Sequence, residues 1–118
     1  MLPLVVGCKK DEKNADLSAE ALSQTIWNGN ITQYDSWNHP FGEVSFILEF
    51  VSDTEGNYIV PDQYPIKRFQ YSVNESILSF IGSYPTSGEW YITKSSKNQI
   101  TLLSYRSDKT IMTLERIY

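Results

Sequence analysis

Phe69-Gln70-Tyr71-Ser72-Val73-Asn74-Glu75-Ser76-Ile77-Leu78-Ser79-Phe80 carries the pattern on which the fold turns. Phe69, Tyr71 and Val73 alternate with Gln70 and Ser72, and Leu78 and Phe80 flank Ser79. A period of two sends successive side chains to opposite faces of a pleated strand, so each run reads as a half-buried antiparallel strand. Asn74-Glu75-Ser76 between them is short enough for a tight hairpin loop and far too short for a parallel crossover.

The same alternation extends in both directions. Trp27, Gly29 and Ile31 interleave with Asn28, Asn30 and Thr32, and Val44, Phe46, Leu48 and Phe50 with Ser45, Ile47 and Glu49. Trp90 and Ile92, Ile100 and Leu102, and Met112 and Leu114 continue it toward the C-terminus. Turn residues punctuate the runs at Asp53-Thr54-Glu55-Gly56-Asn57, Pro85-Thr86-Ser87-Gly88, Ser96-Lys97-Asn98 and Arg106-Ser107-Asp108-Lys109. Asn38-His39-Pro40-Phe41-Gly42 reads as a loop at a rim. Pro61 and Pro65 rule out a long central strand between them, leaving Tyr58-Ile59-Val60 as a short strand and Pro61-Asp62-Gln63-Tyr64 as an edge segment. Consecutive strands therefore pair as a meander. An all-β, antiparallel up-and-down barrel of about seven or eight strands removes the free edges, with a two-sheet Greek-key sandwich as the alternative.

Ahead of the first strand, Leu17-Ser18-Ala19-Glu20-Ala21-Leu22 is the one good helical stretch, with Asp16 placed to cap it. It is too short to hold alone and must pack on the domain, as a plug at one end of a barrel or as a lead-in to the first strand. The chain divides into residues 1–16, a leader and tether, and residues 17–118, one β-barrel domain.

Composition narrows the chemistry. The chain has 118 residues, 14% of them aromatic, with a net charge of −4, one cysteine and one histidine. One cysteine excludes an internal disulfide framework and a cysteine-based zinc finger. One histidine argues against multi-histidine metal sites and triad chemistry, and His39 reads as a surface residue beside Pro40. The acidic balance argues against a nucleic-acid partner. Gly56, Gly82 and Gly88 are isolated turn glycines with no phosphate-binding pattern. Glu43, Glu49, Glu89 and Glu115 fall at outward positions, and Asp53, Glu55 and Asp62 read as a solvated acidic rim. We expect no catalytic residues, no metal and no cofactor.

The N-terminus, Met1-Leu2-Pro3-Leu4-Val5-Val6-Gly7-Cys8, is apolar and then switches at once to Lys9-Lys10-Asp11-Glu12-Lys13-Asn14. Val5-Val6-Gly7-Cys8 resembles the lipobox that ends a bacterial lipoprotein signal. The resemblance implies cleavage before Cys8, acylation of the new N-terminus and a lipid anchor in the outer membrane of a bacterial envelope. Met1 would lie inside the hydrophobic region of such a signal, as expected for a start placed too far downstream or a trimmed chain. Residues Lys9 to Asp16 carry three Lys, two Asp and one Glu, a neutral spacer with too little apolar surface to order itself.

Together the lipobox, the spacer, the short helix, Ile26-Trp27-Asn28-Gly29 and the closing Met112-Thr113-Leu114-Glu115-Arg116-Ile117 resemble the lipocalin-like lipoproteins of Bacteroidetes-type bacteria, within the calycin group. In lipocalins a first-strand Trp packs at the closed end and an Arg from the last strand lies across it. Trp27 and Arg116 match that pair. The Gly that precedes the Trp by two residues in lipocalins is replaced here by Thr25.

Two uses follow for such a barrel. Phe46, Phe50, Phe69, Tyr71 and Trp90 face inward and could line a cavity for a small apolar or planar ligand, or could simply be core. Tyr34, Trp37, Phe41, Tyr58, Tyr64 and Tyr84 lie in or near loops and could build a contact patch on one rim for an envelope protein partner. The family resemblance adds accessory-subunit and protease-inhibitor roles to this second use.

Overall fold

The computed structural model describes residues 17–63, 66–105 and 108–118. A helical turn, α1 (Ala19–Leu22), leads into eight strands: β1 (Thr25–Tyr34), β2 (Pro40–Phe50), β3 (Glu55–Ile59), β4 (Lys67–Asn74), β5 (Ile77–Ile81), β6 (Gly88–Ser95), β7 (Gln99–Tyr105) and β8 (Lys109–Arg116). Each strand pairs antiparallel with the next, and β8 returns to β1, from Trp27 opposite Arg116 to Tyr34 opposite Lys109. The result is a closed meander barrel, and the sandwich alternative is excluded.

The period-two pattern maps directly onto burial. Trp27 and Ile31 of β1, Phe46, Leu48 and Phe50 of β2, Phe69 and Tyr71 of β4, Leu78 and Phe80 of β5, Trp90 of β6, Ile100 and Leu102 of β7 and Met112 and Leu114 of β8 all point inward and are buried. Val44 departs from the pattern and is exposed, because β2 runs past the core there. A bulge between Ile92 and Lys94 sets Thr93 and Lys94 outward in succession and returns Ser95 to the interior.

Three boundaries differ from the sequence reading. The hairpin expected over Asp53–Asn57 closes earlier. The backbone N–H groups of Val51 and Ser52 donate to the Glu55 carbonyl, and Glu55–Ile59 is already strand. Pro40, Phe41 and Gly42 belong to β2 rather than to a loop, since Pro40 pairs at the very end of β1, where its missing N–H costs nothing. The helix is a single turn capped by Ser18, whose hydroxyl accepts from the Ala21 N–H at 3.1 Å. Asp16, expected as its cap, lies outside the described residues.

The helix closes one end. Leu22 is buried in the core, and the Tyr71 phenol bridges from β4 to this end, 2.6 Å from the Ser52 carbonyl and 3.1 Å from the Ala19 carbonyl. At the other end the β5–β6 connection folds inward. Ser83 and Thr86 are fully buried, their hydroxyls are hydrogen-bonded to each other, and the Trp90 indole N–H donates to the Thr86 carbonyl at 2.7 Å. We call this second end, which also carries the β1–β2 hairpin, the rim end.

Candidate binding site

Phe46, Phe50, Phe69, Tyr71 and Trp90 all lie inside the barrel as members of one buried hydrophobic cluster. Phe50 sits at the centre, with ring centroids 4.8 Å from Tyr71 and 5.6 Å from Phe69, both edge to face. Phe80 packs against Phe69 at 5.2 Å. Two glycines make the room. Gly29 lies opposite Phe46 and Gly56 opposite Phe69, and a Cβ on either glycine would come within 2.2 or 2.4 Å of the facing ring. No buried side-chain N or O among the described residues lacks a hydrogen-bond partner, so the aromatic cluster sits beside no unpaired polar group.

Tyr58, expected on the rim, instead points into the barrel from β3 and packs on Phe46 at 5.0 Å. The early start of β3 is the reason, because it places Tyr58 on the inward phase opposite Leu48. Burial raises the Tyr58 pKa above its ordinary value. The Tyr71 pKa rises to about 12, first through burial and then through the charge of Asp53. Neither phenol is thereby made reactive, since a raised pKa keeps it neutral.

Other rim residues do stand at one end. Trp37 is 78% exposed, Tyr84 74% and Phe41 56%. Tyr34 is half-buried beneath the Lys109 ammonium, 4.9 Å from its ring centroid, and Lys109 also donates to Asn38 Oδ1 at 2.5 Å. Tyr84 borders a depression of about 220 Å³ shared with Ile31, Val44 and Pro85. Tyr64 and Cys8 lie outside the described residues.

At the closed end Trp27 and Arg116 are cross-strand partners, with the guanidinium carbon 6.0 Å from the ring centroid. The Trp27 indole N–H donates to Thr25 Oγ1 at 2.7 Å, and Thr25 in turn donates to the Leu22 carbonyl at 2.5 Å. Thr25 thus forms a hydrogen-bonded link between tryptophan and helix.

Two larger concavities are present. One of about 580 Å³ is bordered by β1, β2, β6, β7 and β8, with the polar rows Asn28, Glu115, Gln99 and Asn30, Thr113, Thr101 and the buried Phe46, Ile100 and Leu114 in its lining. Another, of about 590 Å³, lies between the upper parts of β6 and β7 and is bordered by Tyr84, Glu89, Tyr91 and Tyr105. The sequence does not single out Tyr91 and Tyr105: the alternation shows the outward phase of Tyr91, but the end of the β6–β7 pairing at Tyr91 has no local signal. Among the described residues no three of His, Cys, Asp and Glu come together. No protein-family model matches the chain, and a search of curated proteins finds no significant match.

Proposed function

We propose that this chain is a non-enzymatic, lipid-anchored barrel of the bacterial envelope that binds a protein partner through its rim end. The observation that carries this reading is the contrast between the buried aromatic cluster and the exposed Trp37, Phe41 and Tyr84 at one end. Large aromatics exposed together contribute little to the core and are the side chains enriched in interface centres. An anchor on Cys8 rests on the lipobox resemblance, and the architecture matches what a lipocalin-like resemblance implies. Binding of an apolar ligand inside the barrel, the other use considered for this fold, would compete with the mutual packing of the Phe50, Phe69 and Phe80 rings.

Photo-cross-linking in intact cells tests the reading. A benzophenone amino acid replacing Trp37 or Tyr84 should give a discrete cross-linked protein band. The same group replacing Glu20, exposed on α1 at the closed end, should give none. Equal cross-linking from all three positions, or none from the rim, would overturn it.

A further inference from the structure

The cleft between β6 and β7 has a structural origin that sets it apart from an ordinary surface dimple. The β6–β7 ladder runs from Ser95 opposite Ile100 only as far as Tyr91 opposite Leu103. Above that point each strand follows its other neighbour. Gly88 to Tyr91 pair with Phe80 to Ile77 on β5, while Ser104 and Tyr105 pair with Thr110 and Lys109 on β8. The barrel wall splits locally, and the split is the cleft of about 590 Å³. That volume falls within the usual range of small-molecule sites, roughly 300–1,000 Å³.

Its lining is specific in kind. Three tyrosines border it, with Tyr84, Tyr91 and Tyr105 all more than half exposed and no ring contact between any two of them. Their faces are therefore open to a ligand rather than used up on one another. Glu89 supplies a carboxylate with up to about four acceptor positions beside the rings. Gly88 adopts φ +117°, and no heavy atom lies within 4 Å of where its Cβ would stand, so a ligand can reach the backbone there.

We propose that this cleft binds a neutral saccharide. A pyranose ring has an apolar C–H face that lies flat on a tyrosine ring, and a rim of hydroxyls that donate to a carboxylate. The lining offers both in one place. An anionic ligand would meet the Glu89 charge. A purely apolar ligand would leave that carboxylate desolvated without a partner. An alkylammonium ion would need rings closing round it, whereas these rings are exposed and apart, where cation–π attraction is weakest. The site shares Tyr84 with the protein-partner reading but adds Glu89, Tyr91 and Tyr105, so substitutions at these three test it separately.

Amide-resolved NMR titration of the full chain with maltotetraose, cellotetraose, chitotetraose, xylotetraose and mannotetraose tests the proposal. At least one should move the amides of Ser87 to Tyr91 and Ser104 to Tyr105, with a Kd between about 10 μM and 1 mM, as expected for an open cleft. Tyr91→Ala and Tyr105→Ala should each weaken binding at least about tenfold, and Glu89→Gln about threefold or more, against an otherwise unchanged spectrum. Tyr91→Phe should retain most of the affinity, because it keeps the ring face. Glu20→Ala, on α1 at the opposite end of the barrel, should bind as the parent does. The proposal is overturned if none of the five moves these amides at about 10 mM. It is equally overturned if the shifts map to the Asn28–Thr113 trough, or if tetramethylammonium chloride moves the cleft amides more than any sugar.

Discussion

Gly29 and Gly56 show how two single residues decide the packing of the whole interior. Each faces an aromatic ring across a strand pair, Phe46 and Phe69 respectively, and each ring lies where a Cβ would be. A glycine in a strand weakens it through backbone entropy, so its use here needs a return, and the return is a large ring lying flat against the partner strand. Gly29→Ala should lower stability by about 1–3 kcal/mol through overpacking. The two sites should part company on rescue. At Gly29 the three nearest atoms all belong to the Phe46 ring, so adding Phe46→Leu should recover part of the loss. At Gly56 the Glu49 backbone carbonyl is as near as the Phe69 ring, at 2.4 Å, so adding Phe69→Leu to Gly56→Ala should recover little. Urea denaturation of the four variants checks both halves. Composition alone read Gly56 as a turn residue. The ring it serves lies thirteen positions away, and no local signal marks that pairing.

Among elements, α1 and the β2–β3 connection are both tied to β4 by one phenol. Tyr71 reaches both the Ala19 and the Ser52 carbonyls, and its single proton can serve only one of them at a time. The folded-state pKa of about 12 stands above the ordinary phenol value of 10.0. A raised pKa means that the folded state holds the proton more tightly than the unfolded chain does. The stabilisation is complete below pH 10, falls as the unfolded phenol ionises, and is lost by about pH 12. Stability measured by denaturant should therefore decline across this window, and Tyr71→Phe should flatten the decline while lowering stability at neutral pH. A decline of equal slope in the variant would remove Tyr71 from the account. The elements also show what was legible in sequence. Alternation and short turns revealed the strands from Trp27 to Leu114, their antiparallel order and their inward residues, because these depend on neighbours in the chain. The bulge at Thr93, the early start of β3 that buries Tyr58, and the split between β6 and β7 depend on which strand a residue follows, and that is settled across the barrel.

For the whole molecule, the question is what closes the barrel. The Trp27–Arg116 pair offers a visible clasp between first and last strands, yet its geometry argues for a modest part. The guanidinium lies 6.0 Å from the indole centroid, at the outer limit of a cation–π contact, and Arg116 Nε also donates to the Tyr118 carbonyl at 3.1 Å. Around it the β1–β8 ladder runs unbroken from Trp27–Arg116 to Tyr34–Lys109, and Ile26 exchanges further backbone hydrogen bonds with Ile117 and Tyr118. Closure is thus a property of the ladder and of the core beneath it, where Trp27 is only 2% exposed. A double-mutant cycle separates the contributions. Trp27→Ala should cost about 3–5 kcal/mol as a large buried side chain, and Arg116→Ala under about 1 kcal/mol. Their coupling should be about 0.5 kcal/mol. A coupling above about 2 kcal/mol would mean that the clasp itself, rather than the eight-residue ladder, holds the first strand to the last.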